Sequence, residues 1–351
     1  MTVYLARITA HAALAAALLW TGACGRSERP GAQQSSNEVR AVAQPQRFLD
    51  LQRPLDAQSD ASLQLNLGLR YAVGDGVPQD DAEAVRWYRL AADQGDALAQ
   101  GNLGVMYATG RGIQQDDAEA TRWFRRAADQ SNPDGQVRLG VMYASGRGVP
   151  EDHAEAARLF RLAADQGNAL AQYNLGVMYA SGQGVSQDDS AAIRWLRLAA
   201  DQGHAPAQLD LGFMYAGGNG VPQDYVDASR WYRLAADQGH AIAQFNLGTM
   251  YADGTGVSKD SAAAVRWYRL AADQGYPSAM VDLGNMYLDG QGVPQDDVEA
   301  HMWFNLAAAQ VTGAERALAL TNRGLVAERM TADQFAEAQR RARAWRPTPA
   351  Q

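Results

Sequence analysis

The stretch ALAQYNLGVMYASGQGVSQDDSAAIRWLRLAADQGH, residues 169–204, decides the fold. Its Leu175-Gly176 pair recurs at 67/68, 103/104, 139/140, 211/212, 247/248 and 283/284, always 36 residues apart, so that seven units run from Ala61 to Thr312. A constant period of this size belongs to a solenoid, because so short a unit cannot bury its own apolar face and must lean on its neighbours. Positions are counted within the unit, with Ala61 as one.

In the first half of each unit, position three, Leu at seven, Gly at eight and Tyr at eleven (Tyr71, Tyr107, Tyr143, Tyr179, Tyr215, Tyr251, Tyr287) fall within one stripe when wound at about 100° per residue. This predicts an amphipathic helix, helix A. Glycine inside a helix costs about 1 kcal/mol against alanine, so a glycine repeated in register implies close approach by a neighbouring helix. The methionine column at position ten, Met106 to Met286, flanks the stripe and reads as core. Glycines at fourteen and sixteen then end the helix, and Asp80, Asp116, Asp152, Asp188, Asp224, Asp260 and Asp296 stand where the next helix needs an N-cap. An acid three residues on, as Asp80 with Glu83, predicts capping boxes in five units. Helix B follows, with Trp at twenty-seven (Leu159 in the third unit), an aromatic ring or Leu at twenty-eight, and paired alanines at thirty-one and thirty-two. Rings set against alanines predict knob-and-groove packing between units.

The motifs Leu-Gly-x-x-Tyr, Gly-x-Gly-Val-x-x-Asp, Ala-x-x-Trp-Tyr and Ala-Ala-Asp-Gln-Gly resemble the Sel1-like repeat, a relative of the tetratricopeptide repeat, and the resemblance covers all seven units. It implies an all-α fold, an α-solenoid wound as a right-handed superhelix whose concave groove is lined by helix A. The organisation expected is a signal peptide at 1–23, a flexible tether at 24–58, repeats over 59–312 and a C-terminal cap and tail at 313–351. In the last segment Gly313–Met330 and Thr331–Trp345 read as two further amphipathic helices, the second charged along one side.

The N-terminus carries one charge, Arg7, followed by an apolar run that ends in small residues. This is the layout of an export signal. Cys24, the chain's one cysteine, follows Thr21-Gly22-Ala23 and resembles the acylated cysteine of a bacterial lipobox, although Thr21 stands where Leu is usual. The expectation is an exported, periplasmic protein anchored to the outer membrane through Cys24, with soluble periplasmic or secreted forms as alternatives. The segment after it is rich in Gln, Ser, Arg and Pro, and as a solvated linker would hold the array about 30 Å from its anchor.

With 39 acidic and 31 basic residues the net charge is −8, and loss of residues 1–23 makes it one unit more negative. Such a balance opposes nucleic-acid binding by counterion release. The Gly-x-Gly turns follow a helix and lack a Gly-Lys-Ser/Thr ending, so they are structural and not a phosphate cradle. Asp75, Asp253 and Asp289 lack the alternating ligands of a calcium loop. His204 and His240 share position thirty-six, a variable inter-repeat turn, while His153 and His301 have no ligand at metal spacing. No nucleophile stands beside a base in a known motif. Neither cofactor nor metal is expected.

What remains is the side of helix A away from the stripe: positions two, five, six, nine and thirteen. Position six carries Asn66, Asn102, Arg138, Asn174, Asp210, Asn246 and Asp282; positions five and nine add Val105, Tyr173, Val177, Leu209, Phe213 and Phe245. Amides both donate to and accept from an extended backbone, and the apolar groups beside them receive side chains. Position five has a second reading, in which it packs against the preceding unit. The expected function is a non-enzymatic scaffold at the bacterial cell envelope, binding a peptide or partner protein; the resemblance implies envelope or exopolysaccharide assemblies as its setting. Two rivals stand beside it. Some secreted relatives bind or hydrolyse β-lactams, but those resemble disulfide-stapled repeats, and this chain has no cysteine in its repeats. A carbohydrate binder would stack sugar rings on Tyr173, Phe213 and Phe245.

Overall fold

The computed structural model describes residues 60–348, and every regular element among them is an α-helix. The signal segment, Cys24 and the tether lie outside the described residues. None of the helices is long and apolar enough to cross a membrane. The chain divides into two compact units, one ending at Gln187 and the other beginning at Asp188, within the fourth repeat. In the first are α1 (Ala61–Val73), α2 (Asp81–Asp93), α3 (Ala97–Thr109), α4 (Asp117–Asp129), α5 (Pro133–Ser145), α6 (His153–Asp165) and α7 (Ala169–Ser181). In the second are α8 (Asp189–Asp201), α9 (Ala205–Gly217), α10 (Tyr225–Asp237), α11 (Ala241–Asp253), α12 (Ser261–Asp273), α13 (Pro277–Asp289), α14 (Asp297–Gln310), α15 (Gly313–Ala327) and α16 (Ala332–Ala344). Odd-numbered helices up to α13 are helix A of a repeat, even-numbered ones up to α14 are helix B, and the class is an all-α solenoid.

Each helix A stops at a left-handed glycine, such as Gly110 with φ 72°, and each helix B starts at its aspartate. Asp80 Oδ1 accepts from the Ala82 and Glu83 amides at 2.9 and 3.1 Å, which satisfies two of the helix's orphan donors. The reciprocal half of the capping box does not form in the repeats. The backbone N–H of Asp80 already donates to Tyr71 O at 2.9 Å, and Asp116, Asp152, Asp224, Asp260 and Asp296 repeat that bond. The acid three residues on turns to an arginine instead, as Glu155 does with Arg158 at 2.7 Å, and this partner holds its carboxyl below the ordinary range. Position thirty-six is likewise more than a turn. It is the N-cap of the next helix A: Asp96, Asn132, Asn168 and His204 each accept an amide N–H there, His204 through Nδ1 at 3.3 Å. Burial pushes the pKa of that imidazole down to about 4, which keeps it a neutral acceptor.

The glycines at position eight explain how the hairpin closes. A Cβ on Gly104 would lie 2.5 Å from the Phe124 ring, and one on Gly212 would lie 2.4 Å from the Tyr232 ring, so the ring at position twenty-eight occupies the space of the missing side chain. The glycines at sixteen seat each loop on the hairpin before it; a Cβ on Gly112 would meet Asp81 O at 2.2 Å. Beside this seat Arg111 and Arg147 reach back to Asp81 and Asp117, each with two guanidinium nitrogens, Nε and Nη2, the shorter bonds being 2.6 Å. The methionine column is buried from Met106 to Met286.

Two further ladders join consecutive repeats. The glutamine at position four is buried and donates to the carbonyl of the second paired alanine in the repeat before: Gln100 to Ala92 at 3.1 Å, Gln244 to Ala236 at 3.1 Å. Its own oxygen accepts from the glutamine at thirty-four of the same repeat, as Gln100 from Gln130 at 2.8 Å and Gln244 from Gln274 at 2.7 Å. Carbonyls at the end of helix B, which also accept an amide N–H of the following turn, thereby gain a second partner. The tyrosine at eleven accepts from the arginine at twenty-nine of the repeat before: Arg89 donates to the Tyr107 hydroxyl at 2.7 Å, and Arg233 to that of Tyr251 at 2.8 Å. At the C-terminal end α15 and α16 both pack on α14. Leu90, Leu162, Leu198, Leu234 and Leu270 form an exposed row on helix B, whereas Leu306 at the same position in α14 is buried in a cluster with Ala319 of α15 and Ala342 of α16. Those two helices end the array, and Arg341 fastens α16 to Glu299 of α14 at 2.8 Å.

Candidate functional site: the open side of helix A

With Leu at seven, Gly at eight, Gln at four, the ring at twenty-eight and the Arg–Tyr clamp all used inside the repeat or between repeats, the variable positions of helix A remain. In the first unit Asn102, Val105 and Arg138 are half-buried. Val105 rests on the cluster containing Phe124, Leu139 and Met142, and the Arg138 guanidinium lies 6.0 Å above the Phe124 ring. Asn174 is part-exposed, but its Nδ2 is shut off from solvent and has no hydrogen-bond partner.

Tyr173 and Val177, 2% and 5% exposed, do not lie on that open side. In the second unit Asp210, 5% exposed, is also interior. Val137 and Leu209 show the same burial at position five, which marks this column as packing. Phe245 gives the direction of that packing: its ring sits 5.8 Å from Tyr268 on its own helix B and 5.2 Å from Tyr276, the N-cap of the next helix A. Position five therefore closes the seam toward the following hairpin, not the preceding one. Phe213 meets the Tyr232 ring edge-on at 5.5 Å while remaining part-exposed. With Tyr173 buried and Phe213 and Phe245 engaged by tyrosines, the aromatic set expected to stack on sugars is not presented as a platform.

Asn246 repeats the situation of Asn174, its Nδ2 shielded and without a partner. Around it α11 and α13 add Thr249 at position nine and Asp282 at position six. Thr249 Oγ1 accepts from the Tyr268 hydroxyl at 3.2 Å. Burial, and then the charge of Asp253, push the Asp282 carboxyl up to about 6. Asp253 stands at position thirteen, on the same side of the helical wheel as Asn246. The open side in the second unit is thus amide- and acid-bearing, with flanking aromatic edges. In the first unit it is amide-bearing, with one arginine.

The Sel1 repeat family model matches seven consecutive segments, 61–96, 97–132, 133–168, 169–204, 205–240, 241–276 and 277–311. A Sel1 repeat protein of Oxalobacter formigenes, solved by crystallography, is 35% identical over 75% of this chain and 76% of its own, with a TM-score of 0.64. The crystal structure of c5321, a protective antigen present in uropathogenic Escherichia coli strains that displays an SLR fold, is 30% identical over 82% of this chain and 84% of its own, with a TM-score of 0.47. No protein of curated function matches the chain. Sel1-repeat proteins generally mediate protein–protein interaction. Seven matched repeats, together with the hairpin architecture that those repeats build here, show that the chain belongs to the Sel1-repeat family.

Proposed function

We propose that this chain is a non-enzymatic docking scaffold that holds a peptide or a partner protein along the open side of helix A. One observation carries the reading. The recurring side chains are spent on packing, while at position six the amides of Asn174 and Asn246 each keep a donor that nothing in the protein satisfies. A shielded donor without a partner costs about 1–3 kcal/mol, and turning either part-exposed side chain outward onto a backbone carbonyl of an extended segment would recover much of that. Asn102, Val105, Arg138 and Asn174 form the contact set proposed for the first unit, and Phe213 and Asn246 that for the second. Tyr173, Val177 and Asp210 support it from beneath, and Phe245 backs it from the seam.

The setting proposed is the bacterial envelope, with residues 1–23 as the export signal and Cys24 as the point of lipid attachment, which rests on the sequence of that segment. The partner would then be a component of an envelope or exopolysaccharide assembly. A photo-crosslinking residue placed at Asn102 or at Asn246 should capture the same discrete partner in cells, and the same residue at Arg230, on the solvent face of helix B, should capture none. Equal capture from Arg230 would refute the assignment of the face. In the same cells Cys24→Ser should move the protein out of the membrane fraction, and an unchanged distribution would remove the anchor.

A further inference from the structure

At the C-terminal end, α14, α15 and α16 enclose a cleft of about 300 Å³ whose chemistry differs from that of the repeats. It is lined by His301 and Asn305 from α14, Arg323 from α15, and Phe335, Gln339 and Arg343 from α16. No carboxylate lines it. Three other arginines of this cap are paired with acids, Arg329 with Asp297 at 3.0 Å, Arg341 with Glu299 at 2.8 Å, and Arg340 with Glu337. The two that face the cleft are not so paired. Arg323 donates to a neutral acceptor, Asn305 Oδ1, at 2.7 Å, and no ion pair is formed by Arg343 among the described residues. Two guanidinium groups at one recess, neither held by a carboxylate, leave their donors open to an anion.

The back of the cleft supports the same conclusion. His301 is 3% exposed, and its Nδ1 is buried without a hydrogen-bond partner. Burial, reinforced by the charge of Arg323, holds its pKa below the ordinary histidine value, so the ring is neutral and adds no third charge. Phe335 stands edge-to-face with it at 5.0 Å and is 37% exposed, an aromatic wall in contact with solvent. The recess thus pairs a cationic, planar hydrogen-bonding end with an apolar wall, and its size matches the lower range of small-ligand pockets.

We propose that this cleft is a binding site for an organic carboxylate with an apolar or aromatic body. The carboxylate lies between the guanidinium forks of Arg323 and Arg343, assisted by the Gln339 amide, and its body lies against Phe335. The same chemistry is offered by a free small acid and by the C-terminal residue of a peptide ending in an aromatic side chain. Because the site lies on the cap and uses no helix A residue of the repeats, it stands or falls independently of the scaffold reading.

The test uses the folded chain and saturation-transfer NMR with benzoate, with inorganic phosphate as competitor at matched ionic strength. Saturable benzoate binding is expected, weakened tenfold or more in both Arg323→Gln and Arg343→Gln, with phosphate displacing it poorly. Arg343 is exposed, so its variant keeps the fold, and a thermal melt checks this. A peptide ending in a free Phe carboxylate, set beside its C-terminally amidated form, separates the two sources. Binding of the free-acid peptide tenfold or more tighter than benzoate assigns the site to a chain terminus, and binding no tighter assigns it to a small acid. Absence of saturable binding by both carboxylates, unchanged affinity in both arginine variants, or preference for phosphate would overturn the proposal.

Discussion

Gly148→Ala should cost about 3 kcal/mol of unfolding free energy, and Gly167→Ala about 1 kcal/mol. Both glycines are left-handed, with φ of +68° and +87°, so both variants carry the same backbone penalty. They differ in their surroundings. A Cβ on Gly148 would lie 2.1 Å from the Asp117 carbonyl oxygen and 2.4 Å from its carbonyl carbon, whereas a Cβ on Gly167 meets nothing within 4 Å. Backbone atoms at the start of α4 cannot swing aside as a side chain can, so the loop would have to lift from its seat, and the paired contact of Arg147 with Asp117 would go with it. Urea unfolding of the two variants, compared by midpoint at unchanged slope, measures the difference. Equal losses would mean that the loop glycine serves only its own turn and contributes nothing to stacking.

Leu103→Ala should cost about 2–5 kcal/mol, the range for a large-to-small change in a packed core, and Leu98→Ala close to nothing. The two residues share α3. Leu103 is fully buried in a cluster with Tyr88 and Trp123, while Leu98 is 53% exposed. Thermal melts of both variants test whether position seven faces the core and position two faces out. A loss at Leu98 comparable to that at Leu103 would show that the helix is rotated from the orientation described.

The helices, their order and their ends were legible because seven copies average away local accident, and because the ending glycines and capping aspartates act within a few residues of themselves. Features that depend on a group supplied from elsewhere in the fold were not. Glutamine at position four reads as a surface residue, yet the helical wheel places it in the apolar stripe. Its burial is matched by partners supplied from elsewhere in the fold, Ala92 O at the end of the preceding helix B and the Gln130 amide for Gln100. The capping boxes failed on a bond that spans the loop: Tyr71 O takes the amide N–H of Asp80 before Glu83 can. Position five lies at the margin of the stripe, where periodicity alone does not choose between seam and surface, and Tyr173 and Leu209 went to the interior because a large apolar side chain gains more there. Asp210 at position six was placed by residue type on a solvated face and is buried all the same. The cleft under the cap had no repeat to announce it, since each of its residues occurs once.

The central claim is that two amides, two residues apart on α11, have opposite fates: Gln244 belongs to the inter-repeat ladder and Asn246 to the partner. Gln244 donates to Ala236 O at 3.1 Å and accepts from Gln274 at 2.7 Å, so Gln244→Ala removes two hydrogen bonds from a packed seam and should cost about 1–3 kcal/mol. Asn246 satisfies nothing through Nδ2, so Asn246→Ala should leave the unfolding midpoint unchanged or slightly raised. Chemical unfolding of the two variants, run beside capture of the crosslinked partner, is the decisive measurement. The account predicts lost stability for Gln244→Ala and lost capture at full stability for Asn246→Ala; destabilisation by Asn246→Ala with capture retained would contradict it.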